Sequence, residues 1–173
     1  SDVYKRQELN HFNIIGINFE VIEMPGHTLD HIGFYSFNDG SPILFCGDTL
    51  FAGGCGRIFE GTYEQMHRAL NEISKLPENT KIYCGHEYTL SNLKFAIEVE
   101  PNNEKLKDEY VNVQRLLSSD KPSLPSTLEK ELNINPFLRC HIPSVQNKIN
   151  EKFNIIGDEI EIFTALRKWK DSF

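Results

Sequence analysis

Apolar positions come in two rhythms along this chain. Between Asn13 and Phe45 they form short runs rich in Ile, Val and Phe, interrupted by Gly, Asn and Pro, which is the signature of strands bounded by turns. Ile14 to Met24, Ile32 to Phe37 and Ile43 to Cys46 are predicted strands, the last two joined as a hairpin across Asn38-Asp39-Gly40. Ala52-Gly53-Gly54-Cys55-Gly56 has no period and reads as a loop. The rhythm then becomes helical. Thr62-x-x-Gln65 is a capping box, followed by Met66, Ala69, Leu70, Ile73 and Leu76 at helical spacing. Lys81 to Cys84 is a short strand, and the segment after Tyr88 turns helical. Leu106, Tyr110, Val113, Leu116 and Leu117 mark one helix face, Pro122, Pro125 and Pro136 punctuate a loop region, and Asp158-x-x-Glu161 opens a last helix.

This is an α+β pattern that becomes helical and strand-free from about Glu100. Two units are expected: residues 1–100 as the sheet-bearing part and residues 101–173 as a small all-helical subdomain. There is no internal repeat and no low-complexity tract. With 173 residues, 39% hydrophobic and 25% charged, the composition is that of a soluble globular protein. No apolar stretch reaches the roughly 18 residues that span a bilayer, and Ser1 to Gln7 lacks the apolar core of a secretory signal. The net charge of -7 argues against nucleic-acid or membrane-surface partners. Cys46, Cys55, Cys84 and Cys140 contain no C-x-x-C pair. They are expected as reduced thiols in a cytoplasmic setting, without a structural zinc ribbon.

Three short segments share one logic. Met24-Pro25-Gly26-His27-Thr28, Phe45-Cys46-Gly47-Asp48-Thr49 and Tyr83-Cys84-Gly85-His86-Glu87 each place a metal-type ligand beside a glycine at the end of a predicted strand. Strand ends share a rim, and two imidazoles with one carboxylate suit zinc. Taken singly, each has a plainer reading: a lone histidine is usually an ordinary polar residue, and an Asp after a strand is usually a turn former or helix cap. The recurrence after three successive strands is what points to a shared metal site. Independently, Arg167 and Lys170 lie three apart on one predicted helix face and can clamp a carboxylate, or simply complement the helix C-terminus.

Several blocks carry a resemblance. Pro25-Gly26-His27-Thr28-Leu29-Asp30-His31, Cys46-Gly47-Asp48-Thr49-Leu50-Phe51, Gly53-Gly54-Cys55-Gly56-Arg57 and Cys84-Gly85-His86-Glu87-Tyr88-Thr89 occur in order. They are followed by Asn92-Leu93-Lys94-Phe95-Ala96, Asn135-Pro136-Phe137-Leu138-Arg139 and the closing Arg167-Lys168-Trp169-Lys170-Asp171-Ser172-Phe173. From about Gly16 to Phe173 the chain resembles the glyoxalase II (hydroxyacylglutathione hydrolase) family of the metallo-β-lactamase superfamily. The resemblance implies an αββα metallo-β-lactamase-type sandwich, of which this is the C-terminal half, followed by a helical substrate-binding subdomain.

It further implies that His27 ligates one zinc, His86 a second, and Asp48 bridges both, with iron or manganese also compatible. The implied reaction is hydrolysis of S-(2-hydroxyacyl)glutathione thioesters, S-lactoylglutathione to lactate and glutathione, the second step of methylglyoxal detoxification. A metal-bridging hydroxide held by Asp48 would attack, without a separate side-chain base. A thiolate leaves readily, so no general acid is needed. Arg57 and Tyr88 would contact the tripeptide backbone, and Arg167 and Lys170 a glutathione carboxylate. Phe59 stands where many members carry Tyr. Cys55 is expected to pack backbone, His31 to support the site from behind, and His11, His67 and His141 to be ordinary polar residues. A cytoplasmic monomer acting on a small molecule is expected.

The superfamily draws its remaining ligands from a His-x-His-x-Asp-His block, which this sequence does not contain. Ser1 to Gln7 also does not match the family. The first expectation is therefore the larger, C-terminal part of an enzyme, poorly active alone. The alternatives are a non-catalytic domain that binds a glutathione-like anion or a partner, and a sister hydrolase or persulfide dioxygenase, which the helical C-terminus disfavours.

Overall fold

A computed structural model describes residues 11–38 and 40–173. The readings of Ser1 to Gln7 and of the turn at Asp39 lie outside the described residues.

Six strands form one sheet in the order β1-β2-β3-β4-β7-β8. They are β1 (His11–Ile14), β2 (Ile17–Glu23), β3 (Ile32–Asn38), β4 (Ser41–Gly47), β7 (Lys81–Cys84) and β8 (Ser126–Thr127). β1 to β4 are an antiparallel meander, while β7 runs parallel to β4, with Leu44 opposite Ile82 and Phe45 opposite Tyr83. A small antiparallel pair, β5 (Leu50–Phe51) and β6 (Gly54–Cys55), folds the glycine-rich segment back on itself. The helices are α1 (Tyr63–Ser74), α2 (Thr89–Val99), α3 (Glu104–Leu117), α4 (Leu128–Ile134), α5 (Pro143–Phe153) and α6 (Glu159–Ser172), with a 3-10 turn at Pro136–Leu138. The predicted capping boxes of α1 and α6 are both formed, by Thr62 with Gln65 and by Asp158 with Glu161.

Two predictions of local structure are corrected. The single strand expected from Ile14 to Met24 is the hairpin β1–β2, turning at Ile15 and Gly16 with φ of 54° and 79°. Apolar residues run across the turn, and Ile15 hides it from a pattern that expects a glycine or asparagine there. Asn13 supplies the missing turn chemistry: its carbonyl oxygen accepts from the Gly16 N–H and its amide donates to Asn18. Nor is the chain strand-free after Glu100, because β8 pairs antiparallel with β7, Ser126 opposite Ile82. A two-residue Ser-Thr strand has no period to read; it forms because β7 otherwise leaves an edge unpaired. The proline-punctuated region also holds α4 and the 3-10 turn.

One face of the sheet packs under helices. Leu44, Cys46 and Ile82 join Met66, Leu70 and Ile73 of α1, Val145 and Ile149 of α5, and Ile162, Phe163 and Leu166 of α6 in one buried cluster. That cluster draws from both sides of Pro101. A second cluster, Leu93, Ala96, Leu106, Val113 and Ile134, fills the space among α2, α3 and α4. The opposite sheet face carries a row of aromatic rings: Phe12 stacks on Phe19 with centroids 5.5 Å apart, Phe19 meets Phe45 at 6.0 Å, and Phe45 stacks on Tyr83 at 5.1 Å.

Candidate functional site

The turns after β2, β4 and β7 meet at one rim, and local backbone geometry decides how. Gly26 has φ of 155°, and a Cβ there would lie 2.8 Å from the Met66 backbone, so the turn tucks under the start of α1. The His27 carbonyl accepts from the N–H groups of Phe59 and Glu60, which ties this turn to the loop before α1. Gly85 donates its N–H to the Gly47 carbonyl at 2.8 Å, locking the ends of β7 and β4 together. A Cβ on Gly85 would sit 2.6 Å from Asp48 Oδ1, so glycine is what lets the two ends close.

His27, Asp48 and His86 converge there. His27 Nε2 lies 3.5 Å from Asp48 Oδ2, and His86 Nε2 lies 3.5 Å from Asp48 Oδ1. His27 Nδ1 is 2.8 Å from the Arg57 carbonyl, which can only accept; this ring nitrogen therefore carries the proton. The His27 Nε2 faces the Asp48 carboxylate. Asp48 Oδ1 is buried and finds no hydrogen-bond partner among the described residues, an arrangement that costs stability unless a cation intervenes.

The spacing suits such a cation, since two donors about 2.1 Å from one tetrahedral ion lie roughly 3.4 Å apart. The three side chains thus fit a metal as a partial donor set. Among the described residues no group of three or more His, Cys, Asp or Glu side chains is arranged to hold an ion by itself. His31 packs behind them, its Nε2 3.2 Å from the Asp48 N–H and 3.1 Å from the Cys46 carbonyl.

The rim opens into a cleft of about 500 Å³ whose lining includes all seven residues singled out in the sequence: His27, Asp48, Arg57, His86, Tyr88, Arg167 and Lys170. Tyr88 stacks on His86 at 5.0 Å and meets Phe51 edge-on at 5.3 Å. Phe59 lies 4.9 Å from the His27 ring. The four cationic and aromatic residues differ in availability. Arg57 is largely exposed. Lys170 reaches only a long contact of 3.4 Å to the Ser91 carbonyl and lies over the rings of Phe95 and Phe173. Burial, and next the neighbouring Arg167 and Arg57 charges, hold its ammonium below the usual lysine range.

Arg167 is only 3% exposed. Its guanidinium donates to the Cys55 carbonyl at 2.7 Å and to Asp171 at 2.9 Å, and sits over Phe137. Cys55 is buried beside it, its thiol pushed up to about 11, chiefly by burial.

The residues that shape the floor of the cleft were not singled out from sequence. Glu131 of α4 is fully buried and accepts from the Gly53 N–H, from Ser126 and from Asn135. Asn135 also donates to the carbonyls of Phe51 and Gly54, and Asn92 to that of Ala52. The glycine-rich loop has few backbone partners of its own, and this network supplies them. Asn92 and Asn135 lie within the family-like blocks quoted above, but Glu131 carries no sequence signal. Asp171 could have been found, because an Arg four residues before an Asp on a helix is a readable pair.

Residues 87–173 match the pattern described as hydroxyacylglutathione hydrolase C-terminus, and residues 2–86 that of the metallo-beta-lactamase superfamily. The hydroxyacylglutathione hydrolase of Pseudomonas entomophila is 49% identical over 162 residues, covering 93% of this chain and 62% of that protein. That of Pseudomonas putida KT2440 is 50% identical over 162 residues, with the same coverage. That of Psychromonas ingrahamii is 49% identical over 158 residues, covering 91% of this chain and 60% of that protein. The chain thus spans about 60–62% of the length of these curated relatives. A crystal structure of a metallo-beta-lactamase from Staphylococcus aureus superposes with a TM-score of 0.51 at 21% identity, over 92% of this chain and 41% of that one, a likeness of fold. With that fold, and a family pattern covering the whole helical part, the chain belongs to the hydroxyacylglutathione hydrolase family.

Proposed function

We propose that this chain supplies the bridging and distal ligands, and the substrate wall, of a metal-dependent hydrolase of glutathione thioesters, S-lactoylglutathione foremost. One observation carries the reading: a carboxylate with an imidazole nitrogen 3.5 Å from each of its oxygens, one of those oxygens buried without a hydrogen-bond partner among the described residues. His27, Asp48 and His86 are the proposed metal ligands, for two ions that are zinc by chemistry and can be iron or manganese. Bound there, the metal supplies a Lewis acid that polarises a thioester carbonyl and acidifies water.

The chain's own residues do the rest. Asp48 offers one oxygen to each side and so sets the spacing of the site. The Arg57 carbonyl holds His27 in the tautomer whose Nε2 faces inward. Tyr88 and Phe51 form an aromatic wall over which an extended peptide can lie. Arg57 at the mouth and Lys170 further in present positive charge to a tripeptide's carboxylate, with Arg167 adding charge from beneath. The thiolate released needs no proton donor from the protein.

Residues 1–173 give each proposed metal two protein ligands, where a catalytic zinc usually has three. The expected result for the purified polypeptide is weak metal binding and slow turnover, both rising when the remaining length found in relatives is added. Metal content and S-lactoylglutathione hydrolysis, with and without that added portion, test this. Two tightly held ions and full turnover in residues 1–173 alone would contradict the ligand count. No metal uptake in either preparation would contradict the site.

A further inference from the structure

Two of the cleft's cations, Arg167 and Arg57, gather around one residue. Asp171 Oδ1 accepts from Arg167 Nη2 at 2.9 Å and lies 3.6 Å from Arg57 Nε. The two guanidinium groups reach the same oxygen from different elements. Arg167 comes from one turn earlier on α6 and is immobilised by the Cys55 carbonyl and the Phe137 ring. Arg57 comes from the loop after β6, and its side chain is 64% exposed. With no hydrogen bond and no other ion pair holding that side chain among the described residues, a long exposed arginine samples many rotamers. The same residue's carbonyl orients His27. Asp171 therefore stands between a rigid buried cation and a loose one that borders the candidate metal ligands.

We propose that Asp171 is a positioning residue: anchored on buried Arg167, its carboxylate holds Arg57 at the mouth of the cleft, pre-placing that cation for a ligand carboxylate. This rests on the reading of the cleft as the site of a glutathione-like peptide. Asp171 also lowers the net charge of the cluster, so removing it has two opposed consequences. Coulomb attraction for an anion would rise, while the ordering of Arg57 would be lost. Attraction at an exposed rim is screened within about 8–10 Å by salt, whereas the ordering contribution is not. At physiological ionic strength the ordering effect dominates and affinity falls.

The probe is S-methylglutathione, whose capped sulfur cannot ligate a metal as a thiolate, titrated calorimetrically into residues 1–173 at physiological salt. Asp171→Asn keeps the shape and an acceptor for Arg167 and removes the charge. Its dissociation constant is expected to rise about three- to fivefold. Arg57→Gln should give a similar rise, and the double variant no more than either single one. A ligand-free readout accompanies this: modification of Arg57 by phenylglyoxal, mapped by mass spectrometry, should accelerate in Asp171→Asn while Arg167 stays protected. Unchanged affinity and unchanged Arg57 labelling in Asp171→Asn overturn the proposal. So does a loss of affinity in Asp171→Asn that Arg57→Gln does not share, since Asp171 would then act through the fold alone. If Asp171→Asn fails to fold, Arg57→Gln decides, with unchanged affinity as the overturning result. No binding of S-methylglutathione by the unsubstituted chain, with Arg57 labelling still governed by Asp171, brings down the reading of the cleft rather than the contact.

Discussion

The two walls of the cleft are built on opposite electrostatic plans. On the strand-end wall, two imidazole nitrogens flank a carboxylate at 3.5 Å each, and one of its oxygens is buried with no hydrogen-bond partner among the described residues. On the helical wall, Arg167 and Asp171 are paired at 2.9 Å and Arg57 leans on the same carboxylate, although Arg167 Nε too is buried without a partner among the described residues. The first wall gathers three metal-type donors around an unpartnered buried oxygen and so is suited to bind a cation. The second pairs its opposite charges and can exchange partners with a charged ligand at modest cost. One wall is suited to chemistry and the other to recognition, and substitutions should separate them accordingly.

The largest effect is expected on the first wall. Asp48→Asn leaves the shape but removes the charge that two cations would share. Metal affinity, read by competition with a chromophoric chelator, should fall on the order of 100-fold or more, with the hydrolytic rate falling in parallel. Retained metal affinity would dissolve the contrast between the walls.

Next comes the floor that joins them. Glu131→Ala removes the acceptor for the Gly53 N–H and for Asn135, and should cost about 3 kcal/mol in chemical denaturation. Glu131→Gln, which can donate to Ser126 and accept from the other two, should stay within about 1 kcal/mol at acidic pH. Burial holds the Glu131 carboxyl above its usual range. A group raised in the fold contributes stability that is full below its unfolded pKa and is lost as pH rises through the folded value. The stability of the original protein relative to Glu131→Gln should therefore decline as pH rises from the ordinary carboxyl range, and a flat difference would contradict this.

On the recognition wall, Lys170→Ala in the metal-loaded, complete enzyme should raise KM about tenfold while kcat stays within roughly twofold, because the contact lies away from the bond that breaks. An unchanged KM would remove Lys170 from the ligand's path. The smallest effect concerns His67 on α1, which faces Glu159 at 3.7 Å and packs on Phe163. Burial lowers its pKa, opposed by Glu159 and Asp158. A depressed imidazole lends stability that is present above the ordinary histidine pKa and lost as pH falls through the folded value. Thermal melts should show this acid sensitivity reduced in His67→Gln by less than about 1 kcal/mol.

Much of this was legible in the chain itself. The capping boxes at Thr62 and Asp158, the short strand at Lys81 and the three glycine-flanked residues His27, Asp48 and His86 are local facts, each encoded within a few neighbouring residues, and the structure brings those three side chains to one rim. The hairpin at Ile15 and the strand at Ser126 escaped because side chains elsewhere, or an open edge, decided them. Glu131 escaped for a further reason: a fully buried carboxylate is tolerable only where three donors converge, and those donors come from Gly53, Ser126 and Asn135.

By itself the sequence determined the kinds of element, the candidate site residues and the family, because periodicity, caps and motifs act over short range. Only the tertiary structure decided which cation is free and which is spent. Arg167 and Lys170 look equivalent at spacing three on one helix, yet Arg167 is buried against the Cys55 carbonyl and bound to Asp171 while Lys170 is left facing the cleft. That difference depends on desolvation and on partners far away in the chain, and no local pattern records either.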